Sequence, residues 1–388
     1  MKKALLLGAV MFAGQGLAED LPGQRFVVDA HKLPRPFATP AKDNGGNMVP
    51  RPNGVMPKVP KGFVIEPYIS GLDNPRFMAL GPDGVFLAQS RADKITLLKG
   101  GKAYPFAAGF HYPHGLAVRN GALYVGDLDA VWRIDLKTKA RTRVTKDSFG
   151  TRSYHITRDI AFDSQGALYI AIGSANNVAE EKPPQATVQK VSPDGHMKTF
   201  AAGLRNPVGI AFYPGTDDLY VTANERDGYG DGLPPDFFTS LKAGDFLGWP
   251  YAYAGPHPDP DFGAKRPDLV AKTKTPDVLF PAHSTALGLV FYDGQAFPKD
   301  YRGDAFIALH GSWNSGKPTG FKVVRVRFKD GRPERGYENF ATGFWLKGES
   351  PPVVYGRPAG LLVDRDGSLL IADDQGRTVW RVRYAGGR

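Results

Sequence analysis

Six times along this chain the same short pattern returns: a polar head, often with Pro or Gly, then an apolar run, a turn, and a second apolar run. Asn74-Pro75-Arg76 leads into FMALGPDGVFLAQS, and Tyr112-Pro113-His114-Gly115 into LAVRNGALYVGD. Ile156-Thr157-Arg158 leads into DIAFDSQGALYIAIG, and Asn206-Pro207-Val208-Gly209 into IAFYPGTDDLYVTAN. Leu287-Gly288 and Arg357-Pro358-Ala359-Gly360 head the last two copies. The Asp-Gly and Asn-Gly turns are hairpin signals. The copies start roughly forty to eighty residues apart, near or above propeller repeat lengths. One such hairpin cannot bury its faces alone, whereas six around an axis can. The pattern predicts an all-β chain, a six-bladed β-propeller with long loop insertions on one face. Repeated hairpins at this spacing argue against a β-sandwich.

Three further segments follow from this frame. Residues 19–61 lack periodicity and are expected to be an irregular arm, with the propeller over 62–388. The strand around Phe63 to Ile69 is expected to close the ring by joining the last blade. Residues 1–18 read as a secretory signal: Lys2 and Lys3, then the short apolar run Ala4 to Gly14, then small residues that place cleavage after Ala18. The run is too short to span a bilayer, and no later segment is long and apolar enough. A periplasmic or secreted protein is expected. There is no Cys, which excludes disulfides and a Cys-x-x-Cys-His haem site. The net charge of +10 is spread along the chain without a basic block, so nucleic acid is not an expected partner.

Function is sought where the repeats converge. Arg76, His114, His155 with Arg158, Arg205 with Asn206, His283 and Arg357 all stand just before the first strand of a copy. In a propeller such positions share one rim of the channel, so residues distant in sequence form one cationic site. Arginines grip carboxylates bidentately, and a histidine can take a hydroxyl proton near neutral pH. The stretch NERDGYGDGLPPD, Asn224 to Asp236, is oxygen-rich enough to bind calcium, with Asp227 and Asp231 as candidate ligands. It lacks EF-hand spacing, and a solvated turn is an equal reading.

Taken together, GLRNPVGIAFYPGTDDLYVTANERDGYGDGLPPD, GDFLGWPYAY, PAHSTALGLVFY, YRGDAFIALHGSWNSGKPTGFKVVRVRF and GRPAGLLVDRDGSLLIADD resemble the glucose/sorbosone dehydrogenase family. The likeness is nearest to its L-sorbosone dehydrogenase-type branch and runs from about Gly62 to Tyr384. It implies a propeller that binds pyrroloquinoline quinone (PQQ) with calcium and oxidises an aldose or a hydrated, sorbosone-like sugar aldehyde. Electrons would pass to an external acceptor, a quinone or a cytochrome. By the same resemblance His155 matches the catalytic base, and Arg205 with Asn206 matches the pair at the quinone carbonyls. Asp236, thirteen residues before Trp249, matches an Asp near the cofactor. Lys317 and Arg357 match residues that hold its carboxylates. Trp313 could stack on the cofactor or be structural, and Arg76, His114, His283 and His310 are candidates for facing substrate. A second Arg that follows the one at 357 in the glucose enzymes is replaced by Ala359, which leaves that grip to another group such as Arg76.

Two other functions fit a propeller. A calcium-dependent sugar lactonase needs carboxylates at the channel, whereas these rim positions are mostly Arg and His. A non-catalytic binding propeller leaves the His and Arg convergence unexplained.

Overall fold

The computed structural model describes residues 20–150 and 154–386. The expected signal segment 1–18, with its cleavage point, lies outside them. Among the described residues there is one short α-helix, Pro267–Lys272, and nearly all other regular structure is antiparallel β. No helix there is long and apolar enough to cross a membrane.

Six sheets of four or five strands dominate. Their first strands are Pro75–Leu80, Leu116–Arg119, Ile160–Phe162, Asn206–Phe212, Ala286–Phe291 and Pro358–Val363. Each is the opening strand of one sequence copy. The second strand of every sheet is sandwiched between neighbouring sheets. Its apolar run is accordingly continuous rather than alternating, as in Val85–Gln89, Leu168–Ile172 and Leu369–Asp373, buried throughout. Outer strands such as Lys102–Ala108 keep solvent-exposed positions.

The sheets bury their faces against each other in order. Ala88 and Ile95 of the first pack with Leu123 and Val125 of the second, and Val131 of the second with Ile160 and Ile170 of the third. Val188 meets Val221, Phe238 meets Ile307, and Phe306 meets Leu361 across the following three boundaries. The sixth boundary joins Leu370 and Val379 to Met78 and Leu87 of the first sheet. Leu87, Ile170, Val221, Ile307 and Ile371 are fully buried, and each contributes roughly 1.5–3 kcal/mol.

Near the axis the first strands touch backbone to backbone. A Cβ at Gly209 would lie 2.4 Å from Leu287 O, one at Gly288 2.4 Å from Ala359 O, and one at Gly360 2.0 Å from Arg76 O. Only glycine admits that approach, which explains the Gly following each polar head in these copies. Phe63–Ser70 pairs antiparallel with Thr378–Tyr384, with Phe63 opposite Tyr384 and Ser70 opposite Thr378. The first long strand therefore completes the last sheet, as the sequence predicts.

The arm over residues 20–61 has little regular structure: two two-residue strands, a single 3-10 turn and long extended stretches. The long connection from Leu241 to Val278 holds a small hairpin, Ala252–Tyr253 with His257–Pro258, and the helix. It packs back on residues 202–204 through Phe246, Leu247 and Trp249.

Candidate functional site

Directly below the polar heads, Phe77, Val208, Leu287 and Ala359 from four different sheets form one apolar cluster. The residues that precede them, Arg76, Arg205, Asn206 and Arg357, thereby stand beside one shared apolar cluster. The ring of His114 lies 4.0 Å from that of Phe77 in the same layer.

On one side, the loop before Ile160–Phe162 presents His155, half-buried. Its Nδ1 lies 3.0 Å from Ser174 O and 2.8 Å from Ser174 Oγ, whose hydroxyl donates to Asn176 O. A carbonyl can only accept, so Nδ1 carries the proton and Nε2 is left as a free acceptor. Burial, then the Arg205 charge, pushes the His155 pKa down to about 3, so the ring is neutral across the physiological range. Asn206 Oδ1 faces the same small gap over Gly173, and it is buried with no hydrogen-bond partner.

Arg205 is almost fully buried. It donates to Asn177 O at 3.1 Å, to Asn177 Oδ1 and to Glu225 O at 2.8 Å, and it lies 3.6 Å from Asp227. Three of its five N–H groups make these bonds, and Nη2 also faces Asp227 as an ion pair. Its guanidinium carbon lies 5.7 Å from the Trp249 ring centroid. Asp236 accepts from Glu225 N at 2.9 Å and Thr285 N at 2.6 Å. His283 and Thr285 both hold left-handed φ, at 66° and 58°. For the β-branched Thr285 that conformation costs energy, and the Asp236 bond helps to hold it. His283 donates through Nε2 to Gly230 O at 2.9 Å, with Nδ1 3.5 Å from Asp227. Burial would lower its pKa, but Asp227, Gly230 and Asp236 together raise it.

On the other side a closed charge network stands. Asp374 accepts from Arg76 and from His310 Nε2, each at 2.8 Å. Burial opposes the Asp374 charge, yet His310 and Arg76 hold its carboxyl well below the usual range. His310 is itself pushed down to about 4, by burial first and Arg357 second, so it is a neutral donor. Arg357 donates through Nε to His310 O at 3.0 Å, and its amide donates to Asp373 Oδ1 at 2.7 Å. His114 is fully buried with neither ring nitrogen partnered, between the charges of Arg76 and Arg158.

The remaining candidates are placed differently. Trp313 is 47% exposed and so is not sandwiched within the protein. Lys317 is exposed, and only its backbone oxygen is engaged, by Ser315 Oγ at 2.6 Å. Asp227 and Asp231 are engaged by different partners. Asp227 faces Arg205 and His283, and Asp231 accepts from Gly316 N at 2.7 Å. Among the described residues one trio has metal-sized spacing, His111, Asp127 and Asp129, and it contains neither of them.

Sequence reasoning missed Asp374, Ser174, Asn177, Asn224 and Glu225. Asp374 immediately follows the IAD that ends the last copy, at the point matching Ser90 in the first. Comparing those ends, rather than only the heads, would have found it. Glu225 is nearly fully buried, with Oε1 unpartnered, and burial raises its pKa to about 8 against the opposing Arg205 charge.

Comparison with known proteins agrees with this picture. Residues 126–313 match the Glucose / Sorbosone dehydrogenase family, and residues 266–385 match the TrAA12-like family. An uncharacterized protein of Borreliella burgdorferi is 29% identical over 354 residues, 84% of this chain and 90% of that protein. A pyrroloquinoline quinone-dependent pyranose dehydrogenase of Coprinopsis cinerea is 26% identical over 339 residues, 71% of this chain and 45% of that protein. The solved holo form of the pyranose dehydrogenase PQQ domain from Coprinopsis cinerea superposes with TM-score 0.69 at 19% identity, covering 86% of this chain and 98% of the other. These matches bear out the family resemblance drawn from the sequence.

Proposed function

From its kinship with the glucose/sorbosone dehydrogenase family, we propose that this chain is a six-bladed β-propeller and a PQQ-dependent sugar oxidoreductase. It would oxidise the hydroxyl of an aldose or of a hydrated, sorbosone-like sugar aldehyde. The observation that carries the reading is the pairing of a neutral His155, with Nε2 free, and a buried Arg205 whose charge acts on that ring.

The polar atoms suit a flat, carboxylate-bearing quinone. Asn206 Oδ1, Arg76 Nε and both His114 nitrogens are buried and unpartnered, and arginines from three sheets converge on one mouth. Such orphaned groups cost stability unless a ligand or water meets them. Arg205 and Asn206 would hold the quinone carbonyl edge, with Arg357 and Lys317 at carboxylates and Asp236 fixing the turn beside it. Bound there, PQQ supplies a two-electron acceptor for hydride. His155 Nε2 takes the substrate hydroxyl proton as hydride leaves the carbon, and Ser174 keeps the ring in the tautomer that can do so. Arg205 offsets negative charge that builds during the transfer. Arg76 lies against Gly360, beside Ala359, and is a candidate to supply the grip that an arginine at 359 would give.

Calcium belongs to the proposal, with Asp227 and Asp231 as its candidate ligands once they leave the protein groups they now face. Export to the periplasm or beyond is proposed from residues 1–18, with a separate quinone or cytochrome taking the electrons. Reconstitution tests the reading. Mature protein from a host lacking PQQ is titrated with PQQ, with and without calcium, and dye reduction is followed with aldoses and sugar aldehydes. Saturable, calcium-dependent turnover is expected. Absence of PQQ binding would overturn it.

A further inference from the structure

Residues 37–44 of the N-terminal arm cross the same loops that carry the candidate site. Phe37 N donates to Tyr229 O at 3.0 Å, and Thr39 Oγ1 accepts from Asp231 N at 2.8 Å. The fit is close: a Cβ on Gly230 would lie 2.5 Å from Thr39 O. Gly230 is the residue whose carbonyl meets His283 Nε2, and His283 faces Asp227 beside Arg205. A continuous set of contacts therefore runs from the arm to the catalytic arginine.

The second anchor is Asn44, 4% exposed although it lies in an arm with little regular structure. Its amide nitrogen donates to Trp313 O at 2.6 Å, and its Nδ2 to Ser315 O at 2.9 Å and Glu349 O at 2.7 Å. One side chain thus ties the Trp313–Lys317 loop of the fifth sheet to the segment that precedes the sixth. Asp43 adds a bond from Asn314 at 3.2 Å, and Asn314 Oδ1 accepts from Gly228 N at 3.3 Å. Asp231 completes the circuit through Gly316 N. A buried amide with its N–H groups spent on carbonyls of two separate loops is a fastening that solvent cannot easily replace.

We propose that residues 37–44 are a positioning strap for the site. Asn44 and Thr39 hold the loops 227–232 and 312–317 in register with Arg205, and so govern how firmly ligand is held rather than the chemical step. The ligand side of this inference rests on the proposed PQQ-dependent function, whereas the loop-holding side does not.

The test compares wild type with Asn44→Ala, and uses Lys42→Ala as a control whose Nζ reaches only the exposed Ser350 Oγ. Amide hydrogen exchange is read across the whole chain, together with PQQ dissociation and a KM-against-kcat split. Asn44→Ala is expected to speed exchange within 227–232 and 312–317 but not in the six sheets. It should also raise the PQQ dissociation rate and KM by roughly tenfold at unchanged saturated kcat, the size expected for lost buried hydrogen bonds. Asn44→Gln should recover part of this effect. Unchanged exchange in both loops would overturn the proposal, and so would exchange raised evenly over all sheets. Should Asn44→Ala not fold, Thr39→Ala carries the same readouts at 227–232. If wild type binds no PQQ, the functional reading fails while the exchange result still decides the strap.

Discussion

The two sides of the channel mouth are built from the same residue types and settle their charges in opposite ways. Around Asp374 the network is more nearly closed: Arg76 through Nη1, His310 and Arg357 reach carboxylates or carbonyls, the acid is held ionised, and Arg76 Nε alone of these three residues' polar atoms is buried without a partner. Around Arg205 it is open. His155 keeps Nε2 free, Asn206 Oδ1 and Glu225 Oε1 lack partners, and burial raises the pKa values of Asp236 to about 6 and Glu225 to about 8. A satisfied network holds shape, whereas an unsatisfied one is poised to meet a ligand. Chemistry is therefore expected on the His155 side and rigidity on the Asp374 side.

The sharpest way to break that contrast is to remove the base. His155→Ala should lower turnover by about 10²–10⁴-fold, the usual span for a lost general base, with an unchanged near-UV circular dichroism spectrum. Near wild-type turnover would move the chemistry elsewhere. The pH profile sharpens the same point. Because the His155 pKa is depressed to about 3, the free enzyme should keep its base form down to that pH, and an acid limb near 6.5 would contradict the assignment.

Removing the acid at the centre of the closed side should act on stability instead. Asp374→Asn leaves Arg76 buried without its counter-charge, a change that costs about 3–5 kcal/mol for a buried pair. Thermal or denaturant unfolding would show it. A loss below about 1 kcal/mol, typical of an exposed pair, would mean that the network is not a structural brace.

Glu225 offers a smaller effect with a definite sign. Its folded pKa, about 8, is raised above the ordinary carboxyl value, so the folded state holds a proton that the unfolded chain releases. That contribution to stability is full below about 4.5 and is lost as pH rises through about 8. Glu225→Gln mimics the protonated form and should flatten the stability profile between those limits. An unchanged slope would show that Glu225 is ionised in the native protein.

What the sequence revealed follows the same division. The hairpin repeats, the joining of Phe63–Ser70 to Thr378–Tyr384 and the convergence of the polar heads were legible, because period, turn residues and repeat position are local properties. Asp374, Ser174 and Asn177 were not. They lie in the turns that follow second strands, and each acts through a partner from a distant segment: His310 and Arg76 for Asp374, His155 for Ser174, Arg205 for Asn177. Asp227 and Asp231 show a related limit of the sequence. An acidic, glycine-rich string looks like a cation loop until Arg205, His283 and Gly316 N arrive from distant segments to occupy it.

Lys317 tests the edge of the comparison, where neither open nor closed describes the site. Its side chain is exposed and makes no hydrogen bond or ion pair among the described residues, but its loop is pinned by Ser315 Oγ at Lys317 O and by Asn44. An ammonium in water gains little from a carboxylate, about 0.2–1 kcal/mol for an exposed pair. Lys317→Ala should therefore weaken PQQ binding by only about two- to fivefold at low salt, and by less as salt screens the charge. Stability should not move. A loss of a hundredfold or more in a PQQ titration would mean that the loop closes over the ligand and buries Lys317 with it. The mouth would then have a closed state on this side as well, formed only when ligand is bound.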